Sequence, residues 1–364
     1  MTIRKPIFMA MLFCAAPAFA QSSVTLYGRI DTSVEYSNFG PGHAVHMGSG
    51  DLGATDWGLK GSEDLGGGLH AIFKLESGFN SFNGTLGQNG AEFGREAWVG
   101  LAGSFGTVDA GVNYTPIHTI LVTYSLPAYG AGLGWGNGIN NYVFGPFLRV
   151  SNSVRYVSPR IDGFLFRGLA ARGTNGSSAT APASLGDTYS GGVSYAYGNL
   201  SMDVGYELQR YSPAAVLSAS SEVDAGYYAA AGVSYNFGFI KPSILFLRHA
   251  GGKNVSAQSG STYGNPHANT FEINAEIPVR TAKFLLSYGH YQSIANSNGN
   301  SDSFAIRYDY ALSRTTVVYT GAAEVRNGSA ANFATNNAGG PTALAAIKPG
   351  QKSTSLVVGV MHSF

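Results

Sequence analysis

The sequence predicts an all-β protein, a transmembrane antiparallel β-barrel of about sixteen strands, on three observations. Apolar and polar residues alternate through segments of about ten residues, the length that crosses a bilayer at a tilt. The connections between these segments alternate between short and long. Only 12% of the residues are charged and 50 are glycine, whereas soluble domains average about 25% charged residues. No apolar run reaches the length that a transmembrane helix needs, which excludes a helical membrane protein.

The clearest alternation lies between residues 54 and 79. Trp57 and Leu59 alternate with polar neighbours, and after a glycine cluster at 66–68 the same pattern resumes around Phe73. Glycine adopts the positive φ angles that a tight reversal needs, so the two halves are predicted to form a hairpin. One face of this hairpin is predicted to meet lipid and the other to meet water inside the barrel.

The alternation recurs along the chain and predicts sixteen strands, an even number as in bacterial single-chain barrels. The predicted strands lie near residues 23–37, 54–63, 69–80, 93–102, 106–114, 150–158, 164–172, 188–198, 199–210, 224–237, 239–250, 267–277, 281–292, 301–310, 315–326 and 353–364.

The long connections are predicted at one end of the barrel and the short turns at the other, as is typical of such barrels. The predicted long loops are 38–53, 81–92, 115–149, 173–187, 211–223, 251–266, 293–300 and 327–352.

Residues 1–20 have the pattern of a cleaved signal peptide, and 21–364 are predicted to form the barrel domain. Two basic residues precede an apolar run too short to span a membrane, and an A-x-A motif ends at Ala20, so cleavage is predicted between Ala20 and Gln21. The only cysteine, Cys14, lies in this segment after a large residue, which argues against a lipoprotein. The 22 basic and 21 acidic residues balance, which argues against nucleic acid as a partner.

Several blocks of the sequence resemble the general diffusion porins of β-proteobacteria such as Burkholderia and Neisseria. The blocks are SSVTLYGRID at 22–31, WGLKGSEDLGGGLHAIFKLESGF at 57–79, FGREAWVGLAGSFGTVDAG at 93–111, NSVRYVSP at 152–159 and the terminal Phe364. The resemblance implies a homotrimer in the outer membrane of a Gram-negative bacterium, with the third outer loop folded into the lumen. It also implies that Phe364 is the C-terminal signal for the barrel-assembly machinery. Outer-membrane lipid, lipopolysaccharide, small solutes and ions are the other expected partners.

The resemblance further implies a row of basic residues on the channel wall. By position, Arg29 in LYGRID and Arg149 before NSV match this row, and Arg155 shares the inward parity of Arg149. Asp56 precedes WGLKG, where the family often has arginine, so one member of the predicted row has its sign reversed. Val112 replaces another common arginine, which shortens the row.

Residues 115–148 form the longest internal stretch without alternation and are rich in apolar residues. No Asp or Glu occurs between Asp109 and Asp162, so this loop has no carboxylate to oppose the wall arginines. Two interpretations stay open: an apolar, aromatic constriction, or apolar side chains that merely pack on the barrel wall. The candidate constriction-loop residues are Tyr124, Tyr129, Trp135, Tyr142 and Phe144.

The predicted function is passive diffusion of small hydrophilic solutes and ions through a water-filled channel, without catalysis. The eight histidines are scattered, and the glycine runs at 66–68 and 130–138 open no predicted helix, so neither a catalytic set nor a phosphate loop is indicated. No metal or cofactor is expected. The alternatives are a channel selective for less polar or aromatic solutes, a receptor or adhesin barrel with a plugged lumen, and a soluble periplasmic β-protein.

Overall fold

The computed structural model describes residues 23–40, 42–126, 135–136, 138–139, 148–173, 186–211, 224–250, 267–294, 296–335 and 347–364. The predicted signal peptide, with its cleavage site between Ala20 and Gln21, lies outside the described residues, as do Tyr129, Tyr142 and Phe144. The predictions for these residues therefore stay predictions.

The described strands form one closed antiparallel barrel of sixteen strand positions, which confirms the predicted fold class. Seventeen segments occupy these positions because the second position is divided between two segments. The segments are β1 Ser23–Asn38, β2 His43–Ser49, β3 Asp56–Gly66, β4 Leu69–Gly78, β5 Glu96–Gly103, β6 Gly106–Tyr114, β7 Arg149–Val157, β8 Phe164–Ala171, β9 Thr188–Tyr197, β10 Leu200–Tyr211, β11 Asp224–Tyr235, β12 Lys241–Ala250, β13 His267–Val279, β14 Ala282–Ser293, β15 Ser301–Ala311, β16 Thr316–Asn327 and β17 Lys352–Ser363.

The divided second position corrects one prediction. Residues 38–53 were expected to form a long outer loop, but 43–49 form the strand β2, which pairs with the second half of β1. The first half of β1 pairs with β3 instead. Residues 50–55, between β2 and β3, leave the sheet, and most of them are buried inside the barrel.

The barrel closes where β1 pairs with β17, in a register that runs from Arg29 opposite Ser363 to Asn38 opposite Thr354. Phe364 continues this pairing, since its N–H and carbonyl each form a 3.0 Å hydrogen bond with Gly28. The Phe364 ring covers Gly28 so closely that a Cβ atom there would lie 2.5 Å from the ring. Closure leaves no free sheet edge between the first and last strands.

The two faces of the barrel differ as the alternation predicts. Large apolar side chains project outward, and aromatic pairs such as Phe164 with Tyr195 and Phe284 with Tyr308 lie on this outer face. Inward positions carry polar, charged or small residues on most strands. The inner face of β12 is different, because Leu245 is fully buried there.

The hairpin turn at Gly66–Gly68 has positive φ at all three glycines, as predicted from the sequence. Nothing lies within 4 Å of the Cβ position of any of them, so there is room for a side chain. Glycine is therefore favoured at these positions by the positive φ angles alone. One α-helix, α1, spans Pro116–Tyr124 after β6. No helix among the described residues combines the length and hydrophobicity that crossing a membrane requires.

Candidate functional site

The inward side chains of β1 and β3–β7 form a continuous array of charges, here called the charged wall. Alternation places each of these side chains on the lumen face of its strand, except Arg95 and Arg149, which lie at strand ends. The charged wall consists of Arg29, Asp56, Lys60, Lys74, Glu76, Arg95, Glu96, Asp109, Arg149 and Arg155.

Asp56 is at the centre of the first group of ion pairs in the charged wall. Its carboxylate is fully buried and lies 2.5 Å from Arg29 Nη2 and 3.5 Å from Arg95 Nε. Arg95 Nε also donates to Glu76 Oε1 at 2.7 Å. The Asp56 carboxylate, where the predicted row has its sign reversed, is thus paired with two arginines.

A second group of ion pairs follows on β4–β7. Lys74 contacts Glu76 at 3.0 Å and also contacts Glu96. Arg155 donates to Asp109 Oδ2 at 3.0 Å from Nη2, and its Nη1 lies 3.9 Å from Glu96. The structure thus places Arg155 in the charged wall, together with partners on the neighbouring strands.

The basic groups lie closer to the lumen water than their carboxylate partners. The side chains of Arg29, Lys74 and Arg155 are 20%, 23% and 18% exposed. By contrast, the side chains of Asp56 and Asp109 are 0% exposed. The layer of the wall nearest to the lumen is therefore positive, although most charges in the wall are paired.

Aromatic rings form cation–π contacts with several basic side chains of the charged wall. The Arg155 guanidinium lies 5.4 Å from the Trp98 ring, whose indole N–H donates to Glu96 at 3.0 Å. Lys60 and Lys74 lie over the Tyr27 ring at 5.3 and 5.7 Å. Such cation–π contacts hold long basic side chains in place without neutralising their charge.

Arg149 differs from the other arginines of the charged wall. It donates to the carbonyl of Gly94 at 3.2 Å, and its guanidinium stacks 5.2 Å from the Tyr114 ring. His118 stacks on the same ring at 4.1 Å. Within the described part of the chain, no carboxylate forms an ion pair with Arg149.

Arg95 is one of the members of the charged wall that the sequence analysis did not identify. A strand over 93–102 would place Glu96 inward and Arg95 outward. In the structure β5 begins only at Glu96, so Arg95 lies outside the strand and the alternation does not fix the direction of its side chain. The side chain points inward and is almost fully buried. The adjacent opposite charges Arg95 and Glu96 were the available signal in the sequence.

The described residues of 115–148, here called the inserted segment, pack on the inner face of other strands, with α1 against β9–β12 and Trp135 against Gly321. Thr115 caps α1 by accepting from the N–H of His118 at 3.2 Å. Ile117 and Ile120 of α1 are buried against the inner wall, where a Cβ at Gly205 would lie 3.2 and 2.6 Å from their Cδ1 atoms. Wall glycines thus make room for apolar side chains of the helix.

Tyr124 ends α1 and is held by both its side chain and its backbone. Its hydroxyl donates to Asp203 on β10 and lies 2.8 Å from Ser201 Oγ. Its carbonyl accepts from Ser243 at 2.8 Å and from Asn274 at 3.0 Å. Burial, reinforced by the Asp203 carboxylate, raises the pKa of Tyr124 above its usual range, so the hydroxyl remains a donor at neutral pH.

Glu272 on β13 ties together two distant parts of the inserted segment. Its Oε1 accepts from Ser125 Oγ at 2.6 Å and from the N–H of Leu126 at 3.0 Å. Its Oε2 accepts from the N–H of Ile139 at 2.9 Å. Glu272 is fully buried, and burying a carboxylate costs hydration free energy. The three hydrogen bonds offset this cost.

Two of the proposed constriction-loop residues can be located. Tyr124 and Trp135 are both 0% exposed and pack on the inner wall, Tyr124 at Gly232 and Trp135 at Gly321. Both rings are buried against the barrel wall, and the constriction role of these residues stays a prediction. Within the described residues, no group of three or more potential ligand side chains is arranged to hold a metal ion.

Comparisons with known proteins agree with this architecture. A profile of the Gram-negative porin family matches residues 8–330. The chain is 30% identical over 366 residues to outer membrane porin protein 32 of Delftia acidovorans, covering 98% of this chain and 99% of the relative. An outer membrane porin protein of Bordetella pertussis is also 30% identical, over 410 residues, with 100% of both chains covered.

A solved structure extends the comparison to the fold. The anion-selective porin from Comamonas acidovorans matches with a TM-score of 0.79 at 27% identity, covering 94% of this chain and 100% of that chain. The resemblance drawn from the sequence motifs is therefore confirmed. The chain belongs to the Gram-negative porin family and is a β-barrel protein of the outer membrane.

Proposed function

We propose that the chain forms a water-filled channel for passive diffusion of small hydrophilic solutes and ions, with a preference for anions. The observation that carries this proposal is the depth of the charges: Arg29, Lys74 and Arg155 reach the lumen water while Asp56 and Asp109 are buried beneath them. The anion selectivity of the Comamonas porin, a structure at 27% identity, supports the same preference.

The proposed selectivity is electrostatic. Charges that line a narrow pore raise the local concentration of ions of opposite sign. The inserted segment is proposed to narrow the lumen by occupying the half opposite the charged wall, with its apolar side chains against the barrel. The free aperture is then bounded on one side by arginine and lysine, so a permeating anion passes next to them.

Replacing Arg149 with alanine is expected to shift selectivity toward cations. A unit charge about 7 Å from an ion in water contributes about 0.6 kcal/mol, favourable for an anion and unfavourable for a cation, so the anion-to-cation permeability ratio should change by about sevenfold. The measurement is the reversal potential of the purified protein in planar bilayers under a salt gradient. The matched control is Arg326→Ala, because Arg326 is exposed on the outer face beside Phe304.

The wild-type recording also tests the proposal as a whole. An ohmic channel whose reversal potential indicates anion preference is expected. Correctly folded, membrane-inserted protein without conductance would overturn the open channel and favour the plugged receptor. An unchanged reversal potential in Arg149→Ala would exclude Arg149 from the selectivity-determining surface.

Replacing Asp56 with asparagine is expected to act in the opposite direction. The substitution removes the buried counter-charge of Arg29 and Arg95 and strengthens the positive field of the charged wall. The anion-to-cation permeability ratio should rise by up to about sevenfold, by the same Coulomb argument. Asp302→Asn is the control, since Asp302 lies on the outer face with Tyr288 and His290; a decrease in the ratio would contradict the assigned role of Asp56.

The proposed assembly is a homotrimer embedded in outer-membrane lipid and lipopolysaccharide, inserted by the barrel-assembly machinery. The apolar outer face supports the lipid contact, and Phe364 beside Gly28 is the proposed C-terminal signal. Three equal current steps per insertion event in planar bilayers would support the trimer, and single steps from every insertion would contradict it.

A further inference from the structure

Residues 50–55, between β2 and β3, are here called the inward break, because they leave the sheet and turn into the barrel. Leu52 is fully buried, and Asp51 and Thr55 are nearly so. A surface loop would leave such residues in solvent, since connecting segments usually run over the protein surface. The burial indicates that the inward break packs against other parts of the lumen.

Asp31 of β1 holds the inward break in this position. Its Oδ2 accepts from the N–H groups of Leu52 at 2.6 Å and Gly53 at 2.9 Å. Its Oδ1 accepts from the Tyr319 hydroxyl at 2.7 Å, which links the break to β16. Asp31 is itself fully buried, so all three donors are directed at a carboxylate removed from water.

The inward break touches the two halves of the channel at once. On one side, the carbonyl of Ala54 accepts from Arg29 Nε of the charged wall at 3.4 Å. On the other side, the carbonyl of Asp51 accepts from the N–H of Trp135 in the inserted segment at 2.8 Å. Leu52 and Trp135 belong to one apolar cluster with inward residues of β15–β17.

The wall opposite Trp135 is shaped to receive its ring. A Cβ at Gly321 would lie 2.8 Å from Trp135 Cζ3, so glycine is required for this contact. The Trp135 ring is fully buried. Because α1 ends at Tyr124, eleven residues before Trp135, the contacts of α1 alone do not position this ring.

We infer that the inward break is a second positioning element of the channel, through which Asp31 fixes the part of the inserted segment around Trp135. Asp31 touches neither solute nor aperture and acts through Leu52 and Asp51. The inference rests on the proposed channel function, because the position of the inserted segment matters only if solutes pass beside it. With the anchor removed, the segment would be held by α1 and Glu272 and would fluctuate around Trp135.

The test records open-channel current noise in planar bilayers for Asp31→Ala, Trp135→Ala and the double variant. Each single variant is expected to increase the current variance about twofold, and the double variant should not exceed the larger single effect, because both disturb the packing of Leu52 with Trp135. Glu35→Ala is the control, since it removes another buried inward carboxylate of β1 and should keep the wild-type noise.

Tyr319→Phe provides a milder variant if Asp31→Ala prevents folding, because it removes only the hydroxyl that donates to Asp31. Heat-induced unfolding followed by gel mobility reports whether each barrel is folded. A merely structural role of Asp31 would lower the unfolding temperature without changing the noise, and this result would overturn the inference. Wild-type noise in Trp135→Ala, or additive effects in the double variant, would also overturn it, whereas a non-conducting wild type would overturn the proposed function.

Discussion

Replacing Gly232 with alanine is expected to displace the end of α1 from the barrel wall and to change the channel conductance. The added Cβ would lie 2.1 Å from Cδ2 of Tyr124, a distance at which the ring must move. The ring is held by Asp203 and the backbone by Ser243 and Asn274, so it cannot move without losing hydrogen bonds. Overpacking of this kind destabilises a fold by about 1–3 kcal/mol.

The measurements for Gly232→Ala are single-channel conductance and the temperature of barrel unfolding. The matched control is Gly168→Ala, because Gly168 lies in a strand with nothing within 4 Å of its Cβ position. The double variant Gly232→Ala with Tyr124→Ala removes the clash and should recover the unfolding temperature in part. Wild-type conductance and stability in Gly232→Ala would show that Tyr124 does not anchor the inserted segment.

Replacing Glu272 with glutamine is expected to release the inserted segment at its centre. The carboxylate accepts hydrogen bonds on both oxygens, whereas the amide nitrogen of glutamine is a donor and would oppose either the N–H of Ile139 or the donors of Ser125 and Leu126. A buried donor left without an acceptor costs about 1–3 kcal/mol. We therefore expect a lower unfolding temperature together with stronger current fluctuations.

Glu276→Gln is the control for this substitution, since Glu276 lies on the same strand and pairs with the half-exposed Lys283. The same recordings and unfolding measurements apply to both variants. Equal noise in the two variants would mean that the inserted segment does not depend on Glu272, and the assigned tie between residues 126 and 139 would be wrong.

The strands were predictable because lipid on one side and water on the other force a period of two onto every segment. The short strand β2 was missed because its seven residues carry only Val45 and Met47 as large outward residues, and its pairing with β1 is a tertiary property. Arg95 was missed for a related reason, since its orientation depends on where β5 begins, and the start of a strand is not encoded in the alternation.

The contacts of the inserted segment were not predictable as a set, because they join residues far apart in sequence, such as Glu272 with Leu126 and Tyr124 with Gly232. One indication was present in β12, where Ile244, Leu245 and Phe246 are consecutive apolar residues. A strand that is apolar on both faces is buried on both faces. This pattern already indicated that something covers the inner wall at β12, and α1 is what covers it.

The pairing of β1 with β17 determines the order in which the strands of the barrel are expected to associate during folding. Arg29 and Ser363 pair across nearly the whole length of the chain, whereas most other strand pairs join segments that are neighbours in sequence. Contacts between distant residues form slowly because the loop entropy is lost before the contact is gained. The neighbouring hairpins are therefore expected to form first as an open curved sheet, and the pairing of β1 with β17 is expected to be the last and slowest step of folding.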